Sequence, residues 1–364
     1  MSYVIYVALI LLGISQTKIL EIRLTKNKVI NVNIGISLLL IAFFVFLAYT
    51  RQGADDNIYE LSYRGLLDKT TLAGSTGSGF LYDQINIFFG QILGLNFRVF
   101  KAIIIAFVFL VYLWFASKHT RHPEYVFALI ALYPALLLIT QFRFALATAF
   151  LVIAIECYIR KRYLSMTLFL VIGGLIHTGI LFLAIVVTLF PVYNRLKKST
   201  IVVIILVSLI GTIFYSQIIK LFYLFVDEHR VSVYLLNRQT GVLGLAIYIV
   251  SFYINYKIAE AMLRDPRVYE IRLAKITYLL KILCFLTIPL LIRTPDIMRV
   301  SRATYIFEYV LVARYIDIKE KNIYIPLFKS NVKLSVRAFT TVYAMLTFAI
   351  VAYMNPQVMS QMLG

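Results

Sequence analysis

Long apolar runs, broken by basic clusters, recur from one end of this chain to the other, and few folds accept them. A helix of about 20 apolar residues matches the hydrocarbon thickness of a bilayer, and only helices and closed barrels satisfy their backbone groups there. Such runs read as 3–17, 29–50, 98–117, 125–140, 143–159, 164–191, 200–226, 241–263, 273–292, 302–317 and 335–354. With 61% hydrophobic residues, 15% charged residues and a mean hydropathy of +0.86, a soluble globule is excluded, since its apolar share would be nearer half. The expectation is an all-α polytopic membrane protein of about 11–12 spans, one transmembrane domain over 1–364 with no separate soluble domain. The first run lacks a basic leader and a small-residue cleavage site, so it reads as a retained span.

Lys and Arg number 36 against 17 Asp and Glu, giving a formal charge of +19. In a soluble chain that balance raises the question of nucleic acid. Here no nucleic-acid partner is expected, because the excess falls in short loops, where the positive-inside rule and anionic membrane lipids account for it. The clusters are Lys18/Arg23/Lys26/Lys28, Lys118/Arg121, Arg160/Lys161/Arg162, Arg195/Lys197/Lys198, Arg264/Arg267/Arg272 and Lys319/Lys321/Lys329/Lys333, all assigned to the cytoplasmic side. Cys157 and Cys284 lie inside apolar runs with no second ligand type nearby and read as packing residues.

A single crossing over 164–191 would put the basic clusters at 160 and 195 on opposite faces. The region is therefore expected to enter and return as two short helices, broken at Gly173-Gly174, with His177 near the outer tip. That bookkeeping leaves 51–97, 140–143, 227–240 and 293–301 on the opposite, extracytoplasmic side. The first of these is the longest loop, and its segment 79–96 has apolar residues at helical spacing, as an interfacial helix would.

The outer set carries Arg51, Asp55, Asp56, Tyr59, Arg143, His177, Arg293, Asp296, Arg299, Arg302 and Tyr305. Arg299 and Arg302 share a helix face that Tyr305 and Tyr309 continue. Arginines at several span ends are costly beside lipid and usually turn into the bundle or a wet cavity. Planar, permanently charged forks suit an oxyanion such as a diphosphate, which points to an anionic lipid headgroup. Plainer readings exist for each residue. Span-end arginines snorkel without other function, His177 is read equally as a satisfied core histidine, and Asp55-Asp56 as the cap of a helix starting at Asn57. Glu156 and Arg160, four apart, read as a structural pair, and Lys220, Lys257 and Lys281 as snorkelling or lining residues. The chain has no phosphate loop, since "GSTGSG" at 74–79 lacks the lysine and preceding strand, and no HExxH. His119 and His122 lack carboxylates at ligand spacing. No cofactor and no metal is expected.

The pattern resembles the EpsG family of bacterial exopolysaccharide polymerases, a branch of the Wzy-like membrane polymerases. The matching pieces are "YTRQGADDNIYELSY" (49–63), "GFLYDQINIFFGQILGLNF" (79–97), "QFRFALATAFLVIAIECYIRKRY" (141–163), "LFLVIGGLIHTGILFLAI" (168–185) and "RVSRATYIFEY" (299–309). One departure stands out: where relatives often carry an acidic residue just before the second piece, this chain has Gly77 and Ser78. The resemblance implies a multi-helix GT-C-like fold in the bacterial cytoplasmic membrane, with an active site facing outward. It implies transfer of a glycan from undecaprenyl diphosphate to a sugar hydroxyl of another lipid-linked repeat unit. The implied partners are the undecaprenyl-diphosphate-linked oligosaccharide, membrane lipids, a chain-length regulator and export proteins. On that reading Arg51, Arg143, Arg293, Arg299 and Arg302 meet diphosphate, Tyr59 and Tyr305 line the substrate, and Asp55, His177 or Asp56 serves the acceptor hydroxyl, with Asp55 and His177 both open as the base. A lipid-linked oligosaccharide flippase and an O-antigen ligase are the alternatives. A flippase would be expected to carry an internal repeat and cations in both halves.

Overall fold

A computed structural model describes residues 2–16, 21–25, 28–53, 55–65, 79–189, scattered positions between 203 and 217, then 242–264, 272–287, 298–317, 322–327, 330–354 and 356–363. Arg293, Asp296, Lys220, the loop 227–240 and most of the span expected at 200–226 lie outside the described residues.

The chain begins with α1 (Ser2–Ser15), a hairpin of β1 (Glu21–Thr25) and β2 (Lys28–Asn31), and α2 (Val32–Thr50). Two short helices follow, α3 (Asp56–Tyr63) and α4 (Phe80–Ile87), the latter continued by a π-helical turn over Phe88–Ile92. The central bundle is α5 (Phe97–His119), α6 (Pro123–Leu132), α7 (Ala135–Thr140), α8 (Phe142–Ile159), α9 (Tyr163–Ile176) and α10 (Gly179–Leu189). Then come α11 (Val242–Arg264), α12 (Arg272–Phe285), α13 (Met298–Arg302), α14 (Tyr305–Asp317), a hairpin of β3 (Asn322–Leu327) and β4 (Ser330–Ser335), α15 (Val336–Met354) and α16 (Pro356–Leu363).

This is the all-α polytopic membrane architecture expected, with two small antiparallel hairpins added. Among the described residues, four helices are long and apolar enough to cross a membrane, Asn33–Thr50, Phe97–His119, Phe142–Ile159 and Val336–Met354. Of the shorter apolar helices, α6 is buried at every residue, so protein rather than lipid surrounds it.

Helix α8 sits at the centre, packed against α5 and α9, with α2 on the far side of α5. Its small residues Ala145, Ala147, Ala149 and Ala154 are buried and let neighbouring backbones approach closely. At Gly173 of α9, an added Cβ would lie 3.3 Å from the Ala147 carbonyl oxygen. The expected break at Gly173-Gly174 is displaced: both glycines stay helical, and the chain turns at His177-Thr178. The glycines serve contact instead, since a Cβ at Gly174 would meet Leu181 Cδ2 at 2.7 Å. Two further expected spans are also broken. Pro134 separates α6 from α7 within the run 125–140, because proline offers no N–H to continue a helix. Ala303 and Thr304 separate α13 from α14 within the run 302–317.

The two ends of the bundle differ in charge. One end holds Arg160 and Arg272, the latter reaching the carbonyls of Tyr158 and Ile159 at the close of α8. At the other end the start of α8 meets α3, α4, the α9–α10 turn and α13. The site lies there.

A cationic cluster around the start of α8

Arg143, the second residue of α8, anchors the cluster. Only 3% of it is exposed, and its Nε donates to the Ile176 carbonyl at 3.0 Å. That carbonyl belongs to the last turn of α9, whose unsatisfied oxygens form the negative end of the helix dipole. Its guanidinium carbon also sits 5.1 Å from the centre of the Tyr82 ring. The ring comes from α4, which is pressed onto the end of α9: a Cβ at Gly79 would collide with the carbonyl oxygens of Leu175 and Ile176. Glycine is required there by the approach of two backbones.

Asp83 follows Tyr82 and is half-buried in the field of Arg143. Burial raises its carboxyl above the usual range, and the Arg143 charge opposes that rise. His177 stands in the turn between α9 and α10, its ring edge-on to Phe144 at 5.2 Å. Its Nδ1 accepts the Gly179 N–H at 3.1 Å, so the neutral ring carries its proton on Nε2. Burial, followed by the charges of Arg143 and Arg299, pushes the imidazole down to about 3. With Nδ1 engaged by the Gly179 N–H, His177 presents a neutral N–H donor at Nε2.

Arg299 and Arg302 project from the one-turn α13. Arg302 Nη1 donates to the Gln141 side-chain oxygen at 2.6 Å, one residue before α8, and the same guanidinium bonds the Tyr133 hydroxyl. Its Nε is buried and has no hydrogen-bond partner among the described residues, a costly state unless a ligand completes it. Arg143, His177, Arg299 and Arg302 therefore converge from α8, the α9–α10 turn and α13.

The other expected site residues are placed differently. Asp56 is buried beside Lys101 of α5, with Oδ2 2.5 Å from Nζ and accepting the Gly53 N–H at 2.7 Å. Burial raises its carboxyl, while Lys101 and the Gly53 N–H oppose the rise. Oδ2 is thus held within the fold, while Oδ1 is buried with no hydrogen-bond partner among the described residues. Gly53 is packed on Thr140, whose Cγ2 would be 2.9 Å from an added Cβ. Asp55 precedes α3 as its N-cap, without a side-chain cap bond, and its carbonyl accepts the Tyr59 N–H. Tyr59 lies edge-on to Phe142 at 4.8 Å, which brings α3 onto the start of α8. Arg51 is half-buried and donates from Nη2 to Ser2 Oγ at 3.2 Å, which ties it to the start of α1. Tyr305 is buried, its ring 4.8 Å from that of Tyr133, which Arg302 bonds, and its hydroxyl 3.1 Å from that of Tyr343.

Several contributing residues escaped the sequence reading. Tyr82 and Asp83 sat inside a segment read only for its apolar spacing, and their offset of three and four from Gly79 was the available signal. Gln141 and Tyr133 carried no signal, since neutral polar residues at span ends are common. Lys281, read as a snorkelling or lining residue, is buried, 2.5 Å from Glu308 Oε2 and 3.2 Å from Thr304 Oγ1. Glu156 and Arg160 do form the expected pair, at 2.6 Å.

Arginines thus gather at one end of an apolar helical bundle, and the class this defines is a multi-helix membrane protein. The sequence model of the EpsG family matches residues 31–362, and the chain belongs to that family. Membership implies a membrane enzyme of the polysaccharide-polymerase type. No curated protein and no solved structure matches the chain.

Proposed function

We propose that this protein elongates an exopolysaccharide by moving a glycan from undecaprenyl diphosphate to a sugar hydroxyl of another lipid-linked repeat unit, on the outer face of the bacterial cytoplasmic membrane. The observation that carries the reading is the convergence of Arg143, Arg299 and Arg302, with the Arg302 Nε buried and unbonded among the described residues. Preorganised cations in a dry site stabilise the charge that develops on a departing diphosphate.

In the step, the acceptor oxygen bonds to the anomeric carbon as the bond from that carbon to the diphosphate oxygen breaks. The acceptor proton passes to a carboxylate, and the diphosphate leaves with the bonding pair. Asp83 is the better base of the two carboxylates beside the cluster. Burial raises its carboxyl, so it holds a proton more readily than an ordinary aspartate, and the Arg143 charge opposes that rise. Asp55 remains the second carboxylate, at the start of α3. His177, with its proton on Nε2, donates to a sugar or phosphate oxygen. Arg299 and Arg302 hold the donor diphosphate, and Arg143 joins them while capping α9.

The test is the purified full chain in nanodiscs with a short-chain lipid-diphosphate oligosaccharide of one repeat, with EDTA and without nucleotide sugar. A ladder spaced by one repeat supports the reading. No ladder from a substrate that another polymerase extends overturns it and favours a ligase or a flippase.

A further inference from the structure

A cavity of about 280 Å³ opens on the flank of the bundle between α11, α13, α14 and α15. We propose that it holds the first isoprene units of the polyprenyl diphosphate, those next to the headgroup, and leaves the rest of the tail in the bilayer. The identity of the headgroup rests on the polymerase reading; the cavity itself is argued from its own walls.

Those walls are aliphatic and aromatic, and none of the lining residues carries a charge. The mouth is formed by Val250 and Leu346, 56% and 58% exposed, so it opens on the flank of the bundle, where lipid would stand. The floor is polar: the Tyr343 hydroxyl is 2.8 Å from Ser251 Oγ and 3.1 Å from the Tyr305 hydroxyl, and it accepts from Asn255. The three hydroxyls are occupied with one another, so a hydrocarbon chain strands none of them.

The α13 end of the cavity is cationic. Met298 and Ser301 line it, and they share the one-turn α13 with Arg299 and Arg302. Tyr133 also lines it and is bonded by Arg302. An occupant therefore has an anionic head at α13 and one apolar chain running from it. Size narrows the choice further. At roughly 30 Å³ for a water-sized group, the space takes on the order of ten non-hydrogen atoms, about two isoprene units. A phospholipid would have to leave one of its two chains outside a single slot. The lipid is accordingly recognised at its head-proximal units, and most of its length is not read.

The experiment uses the full chain in nanodiscs of phosphatidylethanolamine and phosphatidylglycerol, with farnesyl diphosphate carrying a photoreactive diazirine as the probe. Label is expected on α11 and α15 peptides containing Val250 and Leu346, competed by plain farnesyl diphosphate and not by added phosphatidylglycerol. Ala246→Trp, which fills the cavity from its lipid side, is expected to weaken farnesyl diphosphate binding at least tenfold while binding of inorganic diphosphate is kept. Ile350→Trp serves as the second variant, and both are first required to elute as the parent does. Label elsewhere, equal competition by phosphatidylglycerol, or unchanged binding by both variants overturns the proposal. The two readings fail separately. Cavity labelling without an oligosaccharide ladder keeps the cavity site and overturns the polymerase, whereas a ladder formed at the parental rate by Ala246→Trp keeps the polymerase and overturns the cavity site.

Discussion

The two ends of the bundle carry arginine and lysine to different purposes. At the Arg160 end the charges are used up within the fold. Glu156 is ringed by Arg160, His119 and Lys118 at 2.6, 2.7 and 3.6 Å. Asp317 accepts from the Thr120 hydroxyl and the Arg121 N–H, both at 2.9 Å, at the entry to α6. Arg337 caps the close of α1 through the carbonyls of Ile14 and Gln16. At the Arg143 end the pairing is mixed. Lys101 takes the buried carboxylate of Asp56, whereas the bonds of Arg302 go to the neutral Gln141 and Tyr133. On the proposed reading, it is a cation held by neutral partners that meets an anion from outside. The contrast can be broken or sharpened residue by residue.

The largest expected effect falls on Asp56 and Lys101, a fully buried ion pair at the site end. Asp56→Ala would leave Lys101 buried and uncompensated, a loss of about 3–5 kcal/mol. It is read as a lower thermal midpoint in detergent. The double replacement Asp56→Leu with Lys101→Met is expected to recover much of it. If Asp56→Ala unfolds normally and only activity falls, Asp56 belongs with the site and the division between the two ends fails here.

Next comes Arg302→Ala, expected to cut the polymerisation rate about 10²–10³-fold with insertion unchanged, the scale of losing one preorganised donor to a developing oxyanion. Arg302→Lys is expected to recover little, since an ammonium cannot reproduce the planar fork. Arg160→Ala is the control from the other end: Arg160 is 48% exposed in its pair with Glu156, and an exposed ion pair is worth about 1 kcal/mol or less. Equal losses from the two variants would erase the distinction. Asp83→Asn follows, expected to slow the reaction about 10²-fold. A base works only when ionised, so the parental rate should rise with pH through the raised Asp83 carboxyl. In the Asp83→Asn variant that acid limb should disappear, and if Asp55→Asn removes it instead, the base is Asp55.

Sequence patterning revealed the apolar architecture because hydrocarbon thickness is a harsh filter: the long helices α2, α5, α8 and α15 match their expected runs to within a few residues. It missed the breaks at Pro134 and at Ala303-Thr304, where composition stays apolar and only local backbone geometry ends the helix. Side-of-membrane reasoning brought Arg143, His177, Arg299 and Arg302 to one end, as found. It could not divide them by role, because role depends on partners distant in sequence. Asp55 and Asp56 are adjacent and chemically identical, yet only Asp56 meets Lys101, 45 residues away. Asp83 was passed over for the same reason in reverse: nothing local to α4 announces Arg143.

His177 offers the smallest effect and the finest test of the cluster's cationic character. With Arg143 and Arg299 beside it and its ring pushed down to about 3, it stays neutral as pH falls from 8 to 5, where an ordinary histidine would charge. The sign follows from burial first, which disfavours the charged ring, and then from two fixed cations that disfavour a third, so the ring gains no proton until pH is far below the working range. His177→Gln keeps an N–H donor and is expected to hold the rate within about threefold, with an unaltered pH profile. His177→Phe removes the donor and is expected to cost about tenfold. An inflection near 6.5 in the parental profile that vanishes in His177→Gln would mean the ring does protonate there, and that the neighbouring arginines are neutralised more fully than the site end implies.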